Sequence, residues 1–271
     1  MQMATGFASV LCLLLTVQPL FAEQPGDDAN VFFQESFEDE NYARRFTGNT
    51  HAGRRTLIED GAVGERAVRL RVTKDGHYGG SLHYHFARAG HDEPEVLYTR
   101  YYLRFGENWV PGRGGKLPGP AGTYGQTGWG GRIPDGTDGW SARGGFRQDP
   151  DDENKTQLFF YTYHMDQPGK WGENMHWDID GHGSLENGKW YQIDMEIRLN
   201  TPGEKDGVLR GWVNGNLAME RTNIRFRANN DLKIEQFWMN LYYGGSWTAP
   251  HDMHVDWDGV TLSRTPLLEV E

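Results

Sequence analysis

Tyr191-Gln192-Ile193-Asp194-Met195-Glu196-Ile197-Arg198-Leu199 alternates apolar and polar residues without a break. Successive side chains leave a strand on opposite sides, so this period of two describes a strand with one core face and one solvated face. Helical spacing would scatter Ile193, Met195 and Ile197 around the axis. The same rhythm recurs outward from here. Val208 to Val213 follows turn signals at Pro202-Gly203 and Asp206-Gly207 and ends at Asn214-Gly215, a hairpin dipeptide. Upstream, Val68-Arg69-Leu70-Arg71-Val72, Tyr98 to Phe105 and Leu158 to Met165 read as strands; downstream, Ile234 to Tyr243 and Val255 to Leu262 do. We find no amphipathic helix of ordinary length and no internal repeat. Many short strands separated by Gly, Pro, Asn and Asp predict an all-β sandwich or jelly roll.

The chain has 271 residues, a size that one large all-β domain accommodates. Its formal net charge of −11, with no long basic run, argues against nucleic acid as a partner. Local charge differs. Between positions 100 and 147 stand seven bases (Arg100, Arg104, Arg113, Lys116, Arg132, Arg143, Arg147) and three acids (Glu107, Asp135, Asp138). A basic segment inside an acidic protein focuses an anionic ligand. The 10 Trp and 12 Tyr exceed what a core of this size needs. In an all-β protein such a surplus often lines a groove, where flat rings cover sugar faces. The run from Val10 to Val17, closing near Leu20-Phe21-Ala22, reads as a signal peptide over residues 1–22, too short to span a membrane. Residues 23–30 are expected to be a flexible start and residues 31–271 one domain, secreted or periplasmic and acting as a monomer. Cys12, the one cysteine, falls in the leader, so no disulfide is expected in the exported chain.

Residues 111–139 break the alternation with many glycines, and so long a connection is usually functional. Gly114-Gly115-Lys116-Leu117-Pro118-Gly119 opens it and presents a lysine from a constrained backbone. In Trp140-Ser141-Ala142-Arg143, Ser141 and Arg143 share a strand face. In Phe160-Tyr161-Thr162-Tyr163, Tyr161 and Tyr163 do so too, with Phe159. Paired tyrosines alone also suit plain sheet packing. Together these groups suit β-elimination across a uronic acid. Arg143 can neutralise the carboxylate with its planar fork, and Ser141 can add a hydrogen bond. Lys116 or a tyrosine, its pKa lowered by burial or cations, can remove the C5 proton, and a second phenol can protonate the leaving oxygen. Neither metal nor cofactor is required. Hydrolysis needs two carboxyl groups facing across the bond, and Asp194 and Glu196 are ordinary alternating strand residues.

Gly-Gly-Lys-Leu-Pro-Gly, Trp-Ser-Ala-Arg and Tyr-Thr-Tyr, followed by Gly188-Lys189-Trp190, Leu199-Asn200-Thr201-Pro202-Gly203 and Tyr243-Gly244-Gly245-Ser246, resemble polysaccharide lyase family 14, which includes alginate and glucuronate lyases. The resemblance spans roughly residues 65–263. It implies a β-jelly roll of the concanavalin-like sandwich kind, with a substrate cleft on a concave sheet, acting on an acidic polysaccharide such as alginate or glucuronan. By position it implies catalytic roles for Lys116, Ser141, Arg143, Tyr161 and Tyr163. Pro120, the Gly-Gly-Phe-Arg after Arg143 and the long stretch at 120–139 depart from the family pattern and bear on substrate choice.

Substrate contacts are expected from His83, His85, Arg100, Trp129 and Arg132. His83 and His85 share a strand face near His77 and His164; such a pair can also hold a metal, but no third ligand follows from the spacing. Trp129, Trp140, Trp171, Trp177 and Trp247 are candidates for sugar stacking, half or more of them being expected in the core. Asp149 to Asn154 reads as a hairpin tip. The other readings are a non-catalytic carbohydrate-binding module on the same fold and a glycoside hydrolase.

Overall fold

The computed structural model describes residues 29–268. The expected signal peptide, and all but the last two residues of the expected flexible start, lie outside them. The strands are β1 (Val31–Glu35), β2 (Gly48–Thr50), β3 (Arg55–Ile58), β4 (Ala67–Val72), β5 (Tyr78–His85), β6 (Val96–Phe105), β7 (Gly115–Lys116), β8 (Gly119–Gly122), β9 (Trp140–Gln148), β10 (Lys155–Tyr163), β11 (Glu173–His176), β12 (Ser184–Glu186), β13 (Tyr191–Arg198), β14 (Gly207–Val213), β15 (Asn216–Ile224), β16 (Gln236–Tyr243) and β17 (Met253–Ser263). Among the described residues one α-helix, Tyr42–Arg45, spans four residues. The strands form two antiparallel sheets packed as a β-jelly-roll sandwich.

The first sheet runs β15-β14-β13-β6-β17-β4-β3, with β1 against β17. The second runs β11-β10-β9-β7-β16-β5-β2, with β12 against β10 and β8 wedged between β9 and β16. The alternation read from the sequence decides which side chains fill the space between them. Ile193, Met195 and Ile197 of β13, with Tyr101, Leu103 and Phe105 of β6, face Leu82 and Tyr84 of β5, Phe146 of β9, Phe160 of β10, and Phe237, Met239 and Leu241 of β16. Each fully buried side chain of this size contributes roughly 1.5–3 kcal/mol by leaving water. The Asn214-Gly215 hairpin has positive φ at both residues, 50° and 80°, as a tight β14–β15 turn requires. The expected 149–154 tip closes β9 to β10, with Asp149 Oδ1 accepting the amides of Asp151 and Asp152 at 2.8 and 3.0 Å.

Three expectations change. The lysine stretch, read as a turn, holds two short strands, β7 and β8, each bridging β9 and β16. Trp140 and Trp177 are 0% and 1% exposed and belong to the core, because each points between the sheets. Asp194 and Glu196 lie on the outer face of the first sheet, yet are nearly sealed. Arg100 covers Asp194 at 2.6 Å and Arg210 covers Glu196 at 2.8 Å, the arginine stems shielding carboxylates that the strand pattern leaves half solvated.

Candidate active site

The outer face of the second sheet carries the candidate residues. Strand register places Tyr161 of β10 opposite Arg143 of β9, and Tyr163 opposite Ser141. Lys116 of β7 lies opposite Gly145 of β9 on one side and Tyr242 of β16 on the other. Lys116, Ser141, Arg143, Tyr161 and Tyr163, 47 positions apart at the extremes of the sequence, are thus neighbours on three adjoining strands.

Two glycines allow close packing around the cations. Opposite Lys116, whose Nζ lies 3.8 Å from the Tyr161 ring centre, Gly145 leaves space for the Phe159 ring, which a Cβ there would meet at 2.3 Å. Gly119 stands between β9 and Trp238 of β16, and the Arg143 guanidinium lies 4.4 Å over the Trp238 ring. A Cβ on Gly119 would come within 2.6 Å of Arg143 Cα, so only glycine lets β8 approach β9 this closely.

The electrostatics are unusual. Arg143 is 7% exposed, and its Nε has no hydrogen-bond partner among the described residues. Burial pushes its pKa down to about 10, and the groups that oppose this shift are the tyrosines 161, 163 and 242, with no carboxylate among them. Burial, with Arg143 beside it, pushes Lys116 down to about 7. Desolvation and the neighbouring Tyr163 hydroxyl raise Tyr161 well above the ordinary phenol value. The seven strands β2, β5, β7, β8, β9, β10 and β16 contain no Asp or Glu. A buried cation without a counter-charge is costly, and an anionic ligand is what offsets it.

Ser141 and Tyr163 sit differently from expectation. Both are fully buried, beneath the 123–139 loop. Ser141 Oγ donates to the Gly128 carbonyl at 2.6 Å, and the Gly131 amide donates to the Tyr163 hydroxyl at 2.9 Å. Ser141 therefore anchors the loop instead of pointing at a ligand. The same loop carries Trp129, 37% exposed, with the Arg132 guanidinium 3.7 Å from its ring. Trp171, 59% exposed, approaches it from the 164–172 loop, where a Cβ on Gly131 would come within 3.0 Å of the Trp171 ring.

His83 and His85 of β5 border the face on its other side. Their rings stack at 5.7 Å, and His83 stacks on Trp238 at 5.6 Å. His77 stacks on Tyr242 at 5.5 Å. His164 does not join them; it is buried against Glu173 at 2.7 Å. Arg100 does not either, because β6 belongs to the first sheet and its guanidinium is held by Asp194 and the Leu267 carbonyl. Among the described residues no group of three or more His, Cys, Asp or Glu is placed to hold a metal ion.

Sequence reading missed Trp238, Asn240 and Tyr242, and His176 of β11. The signal was present. In β16 the polar-edged residues Gln236, Trp238, Asn240 and Tyr242 alternate with Phe237, Met239 and Leu241, and only the second set is core.

The sequence profile described as polysaccharide lyase 14 matches residues 70–260. The chain belongs to polysaccharide lyase family 14. Solved structures agree on the fold of this lyase. Alginate lyase Aly36B is 22% identical with a TM-score of 0.68, covering 90% of this chain and 96% of that one. The marine PL-14 alginate lyase from Aplysia kurodai is 21% identical with a TM-score of 0.70, covering 88% and 100%. The endo-β-1,4-glucuronan lyase from the fungus Trichoderma reesei is 16% identical with a TM-score of 0.59, covering 87% and 96%. No curated protein sequence matches this family 14 lyase.

Proposed function

We propose that this lyase cleaves a polyuronate such as alginate or glucuronan by β-elimination on the outer face of the β9–β10–β16 sheet. The observation that carries the proposal is the pair of cations, Lys116 and Arg143, recessed among strands β7, β8, β9, β10 and β16, none of which contains Asp or Glu. Among similar structures, an Aly36B mutant is held in complex with alginate tetrasaccharide.

Arg143 stays protonated at neutral pH even at a pKa of about 10 and binds the uronate carboxylate through its unpartnered guanidinium edge. Neutralising that carboxylate acidifies the C5 proton. Lys116, with a pKa of about 7, is half neutral at neutral pH and takes it. The electron pair of the C5–H bond forms the C4–C5 double bond, the bond from C4 to the glycosidic oxygen breaks, and that oxygen takes a proton. Tyr161 supplies it, since burial keeps its phenol protonated and its ring lies against Lys116. Tyr163, covered by the loop at Gly131, supports Tyr161 edge-on at 5.5 Å. His83, Trp129 and Arg132 extend the binding face, and Arg100 takes no part. Export by the leader at 1–22 and action as a monomer complete the reading.

The test incubates the purified enzyme with alginate and glucuronan and follows the absorbance of the unsaturated product. Cleavage with that chromophore is expected. Lys116→Ala abolishes it, and Tyr161→Phe lowers kcat by about 100-fold or more, Tyr163→Phe by less. Reducing ends without the chromophore mean hydrolysis; binding without cleavage means a carbohydrate-binding module. Either result overturns the reading.

A further inference from the structure

Asn240 is 5% exposed, on the same face of β16 as Trp238 and Tyr242. Its two neighbours on that face tie it to the cations. Trp238 is the ring under Arg143, and Tyr242 is the register partner of Lys116. The amide nonetheless makes no hydrogen bond within the protein: Oδ1 is buried without a partner, and no donor or acceptor among the described residues meets Nδ2. Trp238 Nε1, beside it, is equally unpartnered. An apolar side chain would fill this position at no desolvation cost, whereas a buried unpaired amide costs about 1–3 kcal/mol. Such a group is explained by a ligand that completes it.

The chemistry selects which part of the ligand. A carboxylate only accepts hydrogen bonds, so it cannot serve Oδ1, whereas the Arg143 guanidinium only donates. Arg143 therefore takes the carboxylate, Lys116 is left for the C5 proton, and the amide is left for a group that both donates and accepts. A ring hydroxyl does both, and so answers the amide in either orientation of its O and N. Polyuronates share the carboxylate and differ in how their hydroxyls are set around the ring. Arg143, which holds the carboxylate, is blind to that difference.

We propose that Asn240 is a specificity-determining residue, which reads a ring hydroxyl of the uronate held by Arg143 and so discriminates among polyuronates of different stereochemistry. The proposal rests on the polyuronate reading above. A site built to bond a hydroxyl discriminates strongly against ligands that misplace it, because its own polar atoms are then buried unpaired.

The experiment compares wild type and Asn240→Leu on mannuronan, guluronan and glucuronan, measuring kcat/KM from the unsaturated product, together with the Tm of each protein. Wild type is expected to prefer one polymer. Asn240→Leu is expected to lose about 10- to 100-fold on that polymer and less on the others, so that the ratios move toward one. Its Tm is expected to hold or rise, since no bond within the protein is lost. Asn240→Ser, a smaller change that keeps a polar side chain, is expected to shift the ratios in the same direction and serves if the leucine variant does not fold. Equal losses on all three polymers, or no loss, overturn the assignment of Asn240 while leaving the lyase intact. A wild type that cleaves none of them overturns the polyuronate reading itself.

Discussion

Lys116 and Arg143 are in an environment that folding alone does not reward. Half of the arginines of this chain have an acidic partner, as Arg69 and Arg104 share Asp256; these two cations have aromatic rings instead. A cation over a ring gains about 1–2 kcal/mol when desolvated, less than a lost hydration shell costs. The consequence shows in pH dependence. Lys116 falls from 10.5 to about 7 on folding, so between those values the unfolded chain binds a proton that the folded chain has released. Stability from this group therefore rises with pH across that window, and its penalty is full below pH 7. Lys116→Met is expected to gain at least about 1 kcal/mol at pH 6 and little at pH 10, read from denaturant melts at both pH values, while losing activity. For the wild type, kcat/KM should climb through pH 7 as Lys116 deprotonates, and a pH–rate profile without an acidic limb there would remove Lys116 as the base.

At the scale of elements, a two-residue strand and a loop build the site. β7 and β8 carry few residues, but they set the lateral position of β9 against β16. Gly119→Ala would place its Cβ 2.5 Å from the Ala142 carbonyl and 2.6 Å from Arg143 Cα, where main chain cannot yield cheaply. We expect it to cost about 1–3 kcal/mol of stability, and to lower kcat/KM more than a surface Gly53→Ala control, where a Cβ meets open space, since Arg143 moves with its strand. The 123–139 loop is held over β9 and β10 by Ser141 and Tyr163. Ser141→Ala leaves the Gly128 carbonyl without its donor, and about 1–2 kcal/mol of stability is expected to go with it, together with faster amide exchange at Gly131. An unchanged exchange rate there would mean that Ser141 does not anchor the loop. The Ser-x-Arg and Tyr-x-Tyr patterns were legible because a period of two fixes a shared face wherever the strand ends up. That the serine faces a covering loop is a long-range fact, and no local pattern carries it.

Across the whole molecule, charge is sorted between the two sheets. The net charge is −11, yet seven strands of the second sheet lack Asp and Glu, while β13 and β17 of the first bury Asp194, Glu196, Asp256 and Asp258 at its outer face. An acidic body around a cationic face guides a polyanion to one place and repels it elsewhere. Screening should weaken this guidance. Raising salt from about 0.05 to 0.5 M shortens the Debye length from more than 10 Å to under 5 Å, and KM for the polymer is expected to rise several-fold with kcat nearly constant. A KM indifferent to salt would mean that binding rests on stacking alone. No helix among the described residues is long and apolar enough to cross a membrane.

The sequence by itself determined the strands, the faces their side chains share and the chemical inventory of the site, because alternation and residue type are local properties. Only the tertiary structure decided which sheet each strand joins. That choice removed Arg100 from the cluster, buried Ser141 and Tyr163 under a loop, and brought Trp238, Asn240 and Tyr242 beside cations more than 90 residues away. The physical reason is that backbone pairing between distant strands is set by how the whole core closes, and a single strand's pattern holds no record of its neighbour.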